Sequence, residues 1–167
     1  MINNILFVCI GNICRSPMAE GLFSQVMPEK AVYSAGIHAL VGEPADPLAQ
    51  QLMQERGIDI SEHRARSMAI WMVNEADLIL TMDLYQKRFI EFKYPAAKGK
   101  VMRLGEHGNY DVPDPYKQGL FAFRHACHLI ALGVDSVTAQ IRSLEAKEVQ
   151  HSYSRAAHVA APLPSVP

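Results

Sequence analysis

The chain is poor in cysteine: three in 167 residues, Cys9, Cys14 and Cys127. So few make no disulfide framework, and in a reducing compartment a close cysteine pair points to reactivity or metal binding. A zinc site is disfavoured, because Cys9 and Cys14 have no matching Cys/His pair elsewhere. Charge of one sign is also lacking. The net charge is −1 with no long run of like charge, which argues against a nucleic-acid partner or a polybasic membrane patch. No apolar run approaches the ~20 residues that span a bilayer. The start, MINNILFVCIGN, has neither the charged flank nor the apolar length of a signal peptide. A cytoplasmic protein without membrane insertion is expected. Internal repeats and the G-x4-G-K-[ST] nucleotide loop are absent too.

What is present suits one domain with a real core, since 49% of residues are hydrophobic and 20% charged. Short apolar runs at 5–8, 31–35, 77–81 and 100–104 read as strands. Helical spacing covers 16–27, 46–56, 67–75, 83–93 and a long stretch from about 119 to 147. Ser16 is placed to cap the first of these, with Pro17 in its first turn. Strands alternating with helices predict an α/β fold, a three-layer α/β/α arrangement around a parallel sheet covered on both faces. The domain is expected over 1–147. The remainder, 148–167, ends Ala/Pro-rich without periodicity and is expected to be a disordered tail.

The stretch CIGNICRS, residues 9–16, lies between the first strand and the first helix. Ligands of open parallel sheets bind outside the carboxyl ends of strands. Here the loop Ile10, Gly11, Asn12, Ile13, Cys14 and Arg15 delivers backbone N–H groups to a helix N-terminus, which makes an anion cradle. Gly11 is expected to take backbone angles that a side chain resists, and Asn12 to hold the loop by side-chain hydrogen bonds. Arg15 supplies a fork that matches two phosphate oxygens. Cys9 then sits at the bottom of an electropositive cup that favours the nucleophilic thiolate, and the Ser16 hydroxyl is placed to donate to its sulfur. C-x5-R is a weak pattern alone; C-x-G-N-x-C-R-S between strand and helix is a strong one. Such a thiolate under a phosphate implies a cysteinyl-phosphate intermediate. A general acid is then needed for the leaving group. VPDPY offers Asp114 between Pro113 and Pro115, Asp111 competes with it, and the residues alone leave both open.

At these residues the chain resembles the low-molecular-weight protein tyrosine phosphatases. CIGNICRSPMAE carries most of the resemblance, and VYSAGIHALVGEPADP, SEHRARSM, ADLILTMD and VPDPY follow in the family's order. The likeness covers about residues 3–145 and is greatest to bacterial members that accompany tyrosine autokinases in exopolysaccharide production. It implies a four-stranded parallel sheet of the phosphatase I-like kind and two-step hydrolysis of phosphotyrosine, without metal or other cofactor. It further implies Cys9 as nucleophile, Arg15 as phosphate clamp and Asp114 as general acid. Asn12, Ser34 and His63 match positions that support the loop, and Asp83 is a candidate to orient Arg15. Leu40 and Tyr116 match the walls of the substrate cleft. His38, beside Leu40, reads as solvated, and Cys127 as core. Cys14 resembles a residue that traps an oxidised nucleophile as a disulfide. The protein partner implied is a phosphotyrosine substrate, a tyrosine autokinase by analogy, acted on by a monomer.

Three other readings compete. Phosphoarginine phosphatases resemble this motif with Thr at position 13, whereas Ile13 offers an apolar wall that suits a phenyl ring better than a guanidinium. A thiol-dependent arsenate reductase needs more cysteines after the third strand. A non-enzymatic phosphate-binding module needs neither the thiol nor the acid.

Overall fold

The computed structural model describes residues 1–159. Four strands, β1 (Asn4–Cys9), β2 (Ala31–Gly36), β3 (Leu78–Thr81) and β4 (Val101–Arg103), alternate with five helices: α1 (Arg15–Val26), α2 (Pro47–Gln54), α3 (Ile70–Glu75), α4 (Leu84–Lys93) and α5 (Leu120–Val159). A single 3₁₀ turn, Pro95–Ala97, precedes β4. The strands form one parallel sheet in the order β2-β1-β3-β4. This is the expected three-layer α/β architecture.

The period-2 geometry of a strand sorts the core into two halves. Ile5, Phe7 and Cys9 of β1 face a cluster completed by Phe23 of α1, Met53 of α2 and Phe123 and Ile130 of α5. Leu6 and Val8 face the opposite side, with Met72 and Val73 of α3 and Ile90 of α4. β1 is buried on both faces, which is why it reads as a continuous apolar run. On α5 the buried residues Phe123, Cys127, Ile130, Val134, Val137 and Ile141 recur at helical spacing. The helix is long and apolar enough to cross a membrane by length and composition, but this stripe is spent on the core. Gly133 lets α5 approach the chain leaving β4, since a β-carbon there would sit 2.9 Å from the Leu104 carbonyl oxygen.

Three local expectations are corrected. The helix expected from residue 67 begins at Ile70, because Ser67 bridges Gly36 and Met68 N–H donates to the Gly36 carbonyl, which holds this segment extended along β2. Ser16 does not cap α1: the helix starts at Arg15 with Cys14 at the cap position and no side-chain cap bond. The Ser16 hydroxyl is used elsewhere. Finally, the long helix passes its expected end at 147 and runs to Val159, so 148–159 are helical where a disordered tail was expected. The residues AKEVQHSYSRAA over 146–157 include good helix formers and no proline. Residues 160–167 of that expected tail lie outside the described residues.

Candidate active site

Five residues, 10–14, join β1 to α1 at the carboxyl end of the sheet. Their conformation follows from where the carbonyls go. The carbonyls of Cys9, Ile10, Gly11 and Ile13 accept N–H groups from Ile37, His38, Leu40 and Asp46, at 2.8–3.0 Å. The Asn12 carbonyl is 2.7 Å from His63 Nε2. The peptide bonds here are all trans, so each N–H points opposite to the preceding carbonyl. With the carbonyls of 9–13 bound outward to a neighbouring wall of chain, the N–H groups of 10–14 turn inward. That is the arrangement an anion cradle requires. Asn12 N–H already points at Cys9 Sγ, at 3.3 Å.

The loop turns on Asn12. Its φ is +57°, a left-handed conformation that Asn tolerates better than most residues. Gly11 was expected to take the unusual backbone angles; it has no positive φ, and Asn12 carries the turn instead. The Asn12 side chain is fully buried. Its Nδ2 donates to Ser16 Oγ at 2.8 Å and Ser34 Oγ at 3.0 Å, and its Oδ1 accepts Arg66 N–H at 2.9 Å. Because Ser16 Oγ accepts from Asn12, its own proton is free for Cys9 Sγ, 2.9 Å away. Ser34 in turn donates to the carboxylate of Glu20. Gly36 at the end of β2 has a steric reason: a β-carbon would sit 2.5 Å from the Ile10 carbonyl oxygen.

Arg15 is 3% exposed, and its guanidinium is fixed from two sides. Nη1 donates to the Val112 carbonyl at 3.0 Å and lies 3.4 Å from Asp83 Oδ2. Asp83 also caps α4, its Oδ1 accepting Gln86 N–H at 2.8 Å, so one carboxylate serves both the helix and the guanidinium. Nη2 of Arg15 is 3.2 Å from Asp114 Oδ2. Asp114 Oδ1 accepts Tyr116 N–H at 3.2 Å, an Asx turn that aims the carboxylate at Arg15. Asp111 points away and pairs with Arg103 at 3.0 Å. The structure thus separates the two aspartates that the residues alone left open.

Cys9, Ile10, Gly11, Ile13, Cys14, Arg15, Leu40, Asp114 and Tyr116 line one cleft of about 140 Å³. This is less than the roughly 300–1,000 Å³ of pockets that enclose whole drug-sized ligands, and it suits the end of a side chain. Leu40 and Tyr116 are partly exposed, while Asn12, Ser16, Ser34 and His63 lie behind the loop rather than in the cleft. Burial pushes the Cys14 thiol far up, with Asp46 adding to the effect, so it stays protonated. The Cys127 thiol is raised by burial as well. All three cysteines are free. Among the described residues no group of three or more His, Cys, Asp or Glu side chains could hold a metal ion.

Sequence reading missed four contributors. The Val112 carbonyl and the Arg66 amide are backbone groups without a side-chain mark. Glu20 carried a usable sign, lying one helical turn beyond Ser16 on the same face of α1. His38 was read as solvated; it is exposed yet also lines the cleft.

Residues 4–151 match the family model described as low molecular weight phosphotyrosine protein phosphatase. The chain is 53% identical over 144 residues to the probable low molecular weight protein-tyrosine-phosphatase EpsP of Ralstonia nicotianae, covering 86% of this chain and 99% of that one. Among solved structures it is similar to Vibrio vulnificus Wzb in complex with benzylphosphonate, at 37% identity and a TM-score of 0.81, covering 84% of this chain and 99% of that one. It is also similar to the YwlE arginine phosphatase of Geobacillus stearothermophilus, at 30% identity and a TM-score of 0.82, covering 87% and 96%.

Proposed function

The chain belongs to the low molecular weight phosphotyrosine protein phosphatases, and on that premise we propose how its own residues hydrolyse protein phosphotyrosine. The phosphate enters the ring of inward amides of residues 10–14, and Arg15 exchanges its contact with Asp114 for phosphate oxygens. The Cys9 thiolate attacks phosphorus; the sulfur–phosphorus bond forms as the bond to the tyrosyl oxygen breaks. Asp114, protonated, gives its proton to that leaving oxygen. Tyrosinate has a pKa near ~10, so this protonation is worth about 100-fold or more in rate. Asp114, now ionised, takes a proton from a water that attacks phosphorus, and phosphate leaves with return of the thiolate. Amides and Arg15 stabilise the charge on the equatorial oxygens in both steps.

The observation that carries this reading is the meeting of Cys9, Arg15 and Asp114 in one cleft. Turnover of p-nitrophenyl phosphate and of a phosphotyrosine peptide, in EDTA, for wild type and Cys9→Ser tests it. Activity that survives EDTA and vanishes in Cys9→Ser is the expected result; activity undiminished in Cys9→Ser would sink the mechanism. The physiological substrate we assign is a bacterial tyrosine autokinase of exopolysaccharide production, supported by the 53% identity to EpsP. Dephosphorylation of such a kinase by wild type, and its trapping by Cys9→Ser, is the corresponding test.

Likeness to an arginine phosphatase keeps a second substrate in view. Ile13, 8% exposed and lining the cleft, opposes it: a guanidinium against this wall loses hydrogen bonds that a phenyl ring never makes. Side-by-side turnover of phosphotyrosine and phosphoarginine decides, and phosphotyrosine is expected to win. An arsenate-reductase relay finds no partner, since the remaining cysteine, Cys127, is packed in the core.

A further inference from the structure

Beside the cleft, two elements join in an aromatic ladder. His38, from the loop after β2, lines the cleft. Its ring centroid is 6.4 Å from that of Phe89 on α4. Phe89 stacks on Tyr85, one turn earlier on the same helix, with centroids 6.5 Å apart and planes 28° apart. Tyr85 is 65% exposed. Lys93 Nζ lies 5.6 Å from the Phe89 ring centroid, which places a cation at the ladder's side. Solvent-facing aromatics scattered singly need no explanation. Here three rings adjoin, Tyr85 stacked on Phe89 and His38 tilted against it at 58°, and the first of them stands in the wall of the cleft.

The rung spacing has a chemical meaning. In an extended peptide, side chains two residues apart share a face and repeat every ~6.7 Å. That repeat is close to the ring separations of 6.4 and 6.5 Å along the ladder. We propose that the ladder His38–Phe89–Tyr85 is a substrate subsite that binds an aromatic side chain two residues from the phosphotyrosine in an extended peptide. This rests on the phosphatase reading and adds to it a recognition element outside the phosphate cup. A second ring offered by the peptide stacks on Phe89 or Tyr85 at offset or edge-on geometry. The ladder so supplies aromatic stacking that the aliphatic side chain of Leu40 at the rim does not.

The test is steady-state kinetics of wild type, Tyr85→Ala and Phe89→Leu on three substrates. These are p-nitrophenyl phosphate, a phosphotyrosine peptide with Phe two residues away on both sides, and the same peptide with Ala there. Phe89→Leu keeps the apolar contact with the core and removes the ring; Tyr85→Ala alters an exposed position, so both fold. Wild type is expected to show a KM about five- to tenfold lower for the Phe peptide than for the Ala peptide. Both variants are expected to erase that difference while kinetics on p-nitrophenyl phosphate and the Ala peptide stay unchanged. Equal KM for the two peptides in wild type, or a preference that survives both variants, overturns the proposal. So does a wild-type dimer in sedimentation that Tyr85→Ala dissociates, which assigns the ladder to contact between copies. Failure of the phosphatase reading is distinct, since it abolishes Cys9-dependent turnover of p-nitrophenyl phosphate itself.

Discussion

Asn12 holds more of the site than any other side chain behind the cup. It combines a left-handed backbone with bonds to Ser16, Ser34 and Arg66 N–H, while fully buried. Asn12→Ala removes three hydrogen bonds worth roughly 1 kcal/mol each and leaves buried partners unpaired. It is expected to lose about 2–4 kcal/mol in urea unfolding, and kcat/KM by about 100-fold because the cup distorts. Asp114 acts at a different point. Asp114→Asn keeps the size of the side chain and removes the proton, so kcat on phosphotyrosine falls about 100-fold or more. With dinitrophenyl phosphate, whose leaving group needs no proton, the loss is expected to be small; equal losses on both substrates would argue that Asp114 acts only through Arg15. The cysteines differ in a way that alkylation reads. Burial holds the thiols of Cys14 and Cys127 protonated, whereas Cys9 accepts Asn12 N–H and faces Ser16 Oγ. Iodoacetamide at neutral pH is expected to modify Cys9 first by peptide mass mapping, and phosphate to protect it.

Among elements, the loop from β4 to α5 has the least regular structure and carries the acid. Arg103 staples it. Nε lies 3.3 Å from Glu106 Oε2, Nη1 3.0 Å from Asp111 Oδ1 and Nη2 3.1 Å from Asn109 Oδ1. Val112, next to Asp111, is buried and gives its carbonyl to Arg15. Arg103→Ala is therefore expected to lower kcat with little change in KM, by about tenfold, and Arg103→Lys to restore part of it. A second tie joins strand starts: Asp77 Oδ2 accepts Asn3 N–H at 2.8 Å and Asn4 N–H at 2.9 Å. These bonds hold its carboxyl below the ordinary value of 3.8. A depressed folded value means stabilisation that is full above the unfolded value and lost as pH falls through the folded one. The stability difference between wild type and Asp77→Asn should be constant at neutral pH and shrink in acid, and remain modest because the group is exposed. This element scale is also where sequence reading was weakest. Continuous apolar runs showed β1 and β3, which are buried on both faces, and helical spacing showed α1. The extended start of 67–69 was invisible, since it depends on a bridge to Gly36 from a distant strand. Likewise Ser16 looked like a cap until Asn12 and Cys9, brought close by the folded loop, claimed its hydroxyl.

The whole molecule divides α5 into a structural and a dispensable part. Among the described side chains of the helix, every buried one lies at or before Ile141. Arg142 then donates to the Val26 carbonyl at 3.0 Å, and Glu145 pairs with Lys30, whose side chain is 5% exposed. Beyond these, the ion pair found among the described residues is that of the Met1 amine, 3.7 Å from Glu148, with both groups largely exposed, and Val149 and Tyr153 only border an open groove beside Met1 and Lys30. A fading of the apolar spacing was legible in the sequence, though it was placed near 147, past Ile141. The helical continuation was not, because helix propensity alone extends a solvent-facing helix without any core to mark it. A chain ending at Lys147 keeps the sheet, the cup, the acid loop and both tight ties of α5. It loses one exposed ion pair, worth roughly 0–1 kcal/mol, which shifts Tm by less than about 3 °C in a domain of this size. Turnover of p-nitrophenyl phosphate is expected to be unchanged. A chain ending at Ser136 cuts away Val137 and Ile141 from the core, along with the Lys30 and Val26 contacts. It is expected to lose its cooperative unfolding transition, and differential scanning calorimetry of the two truncations side by side locates the boundary between them.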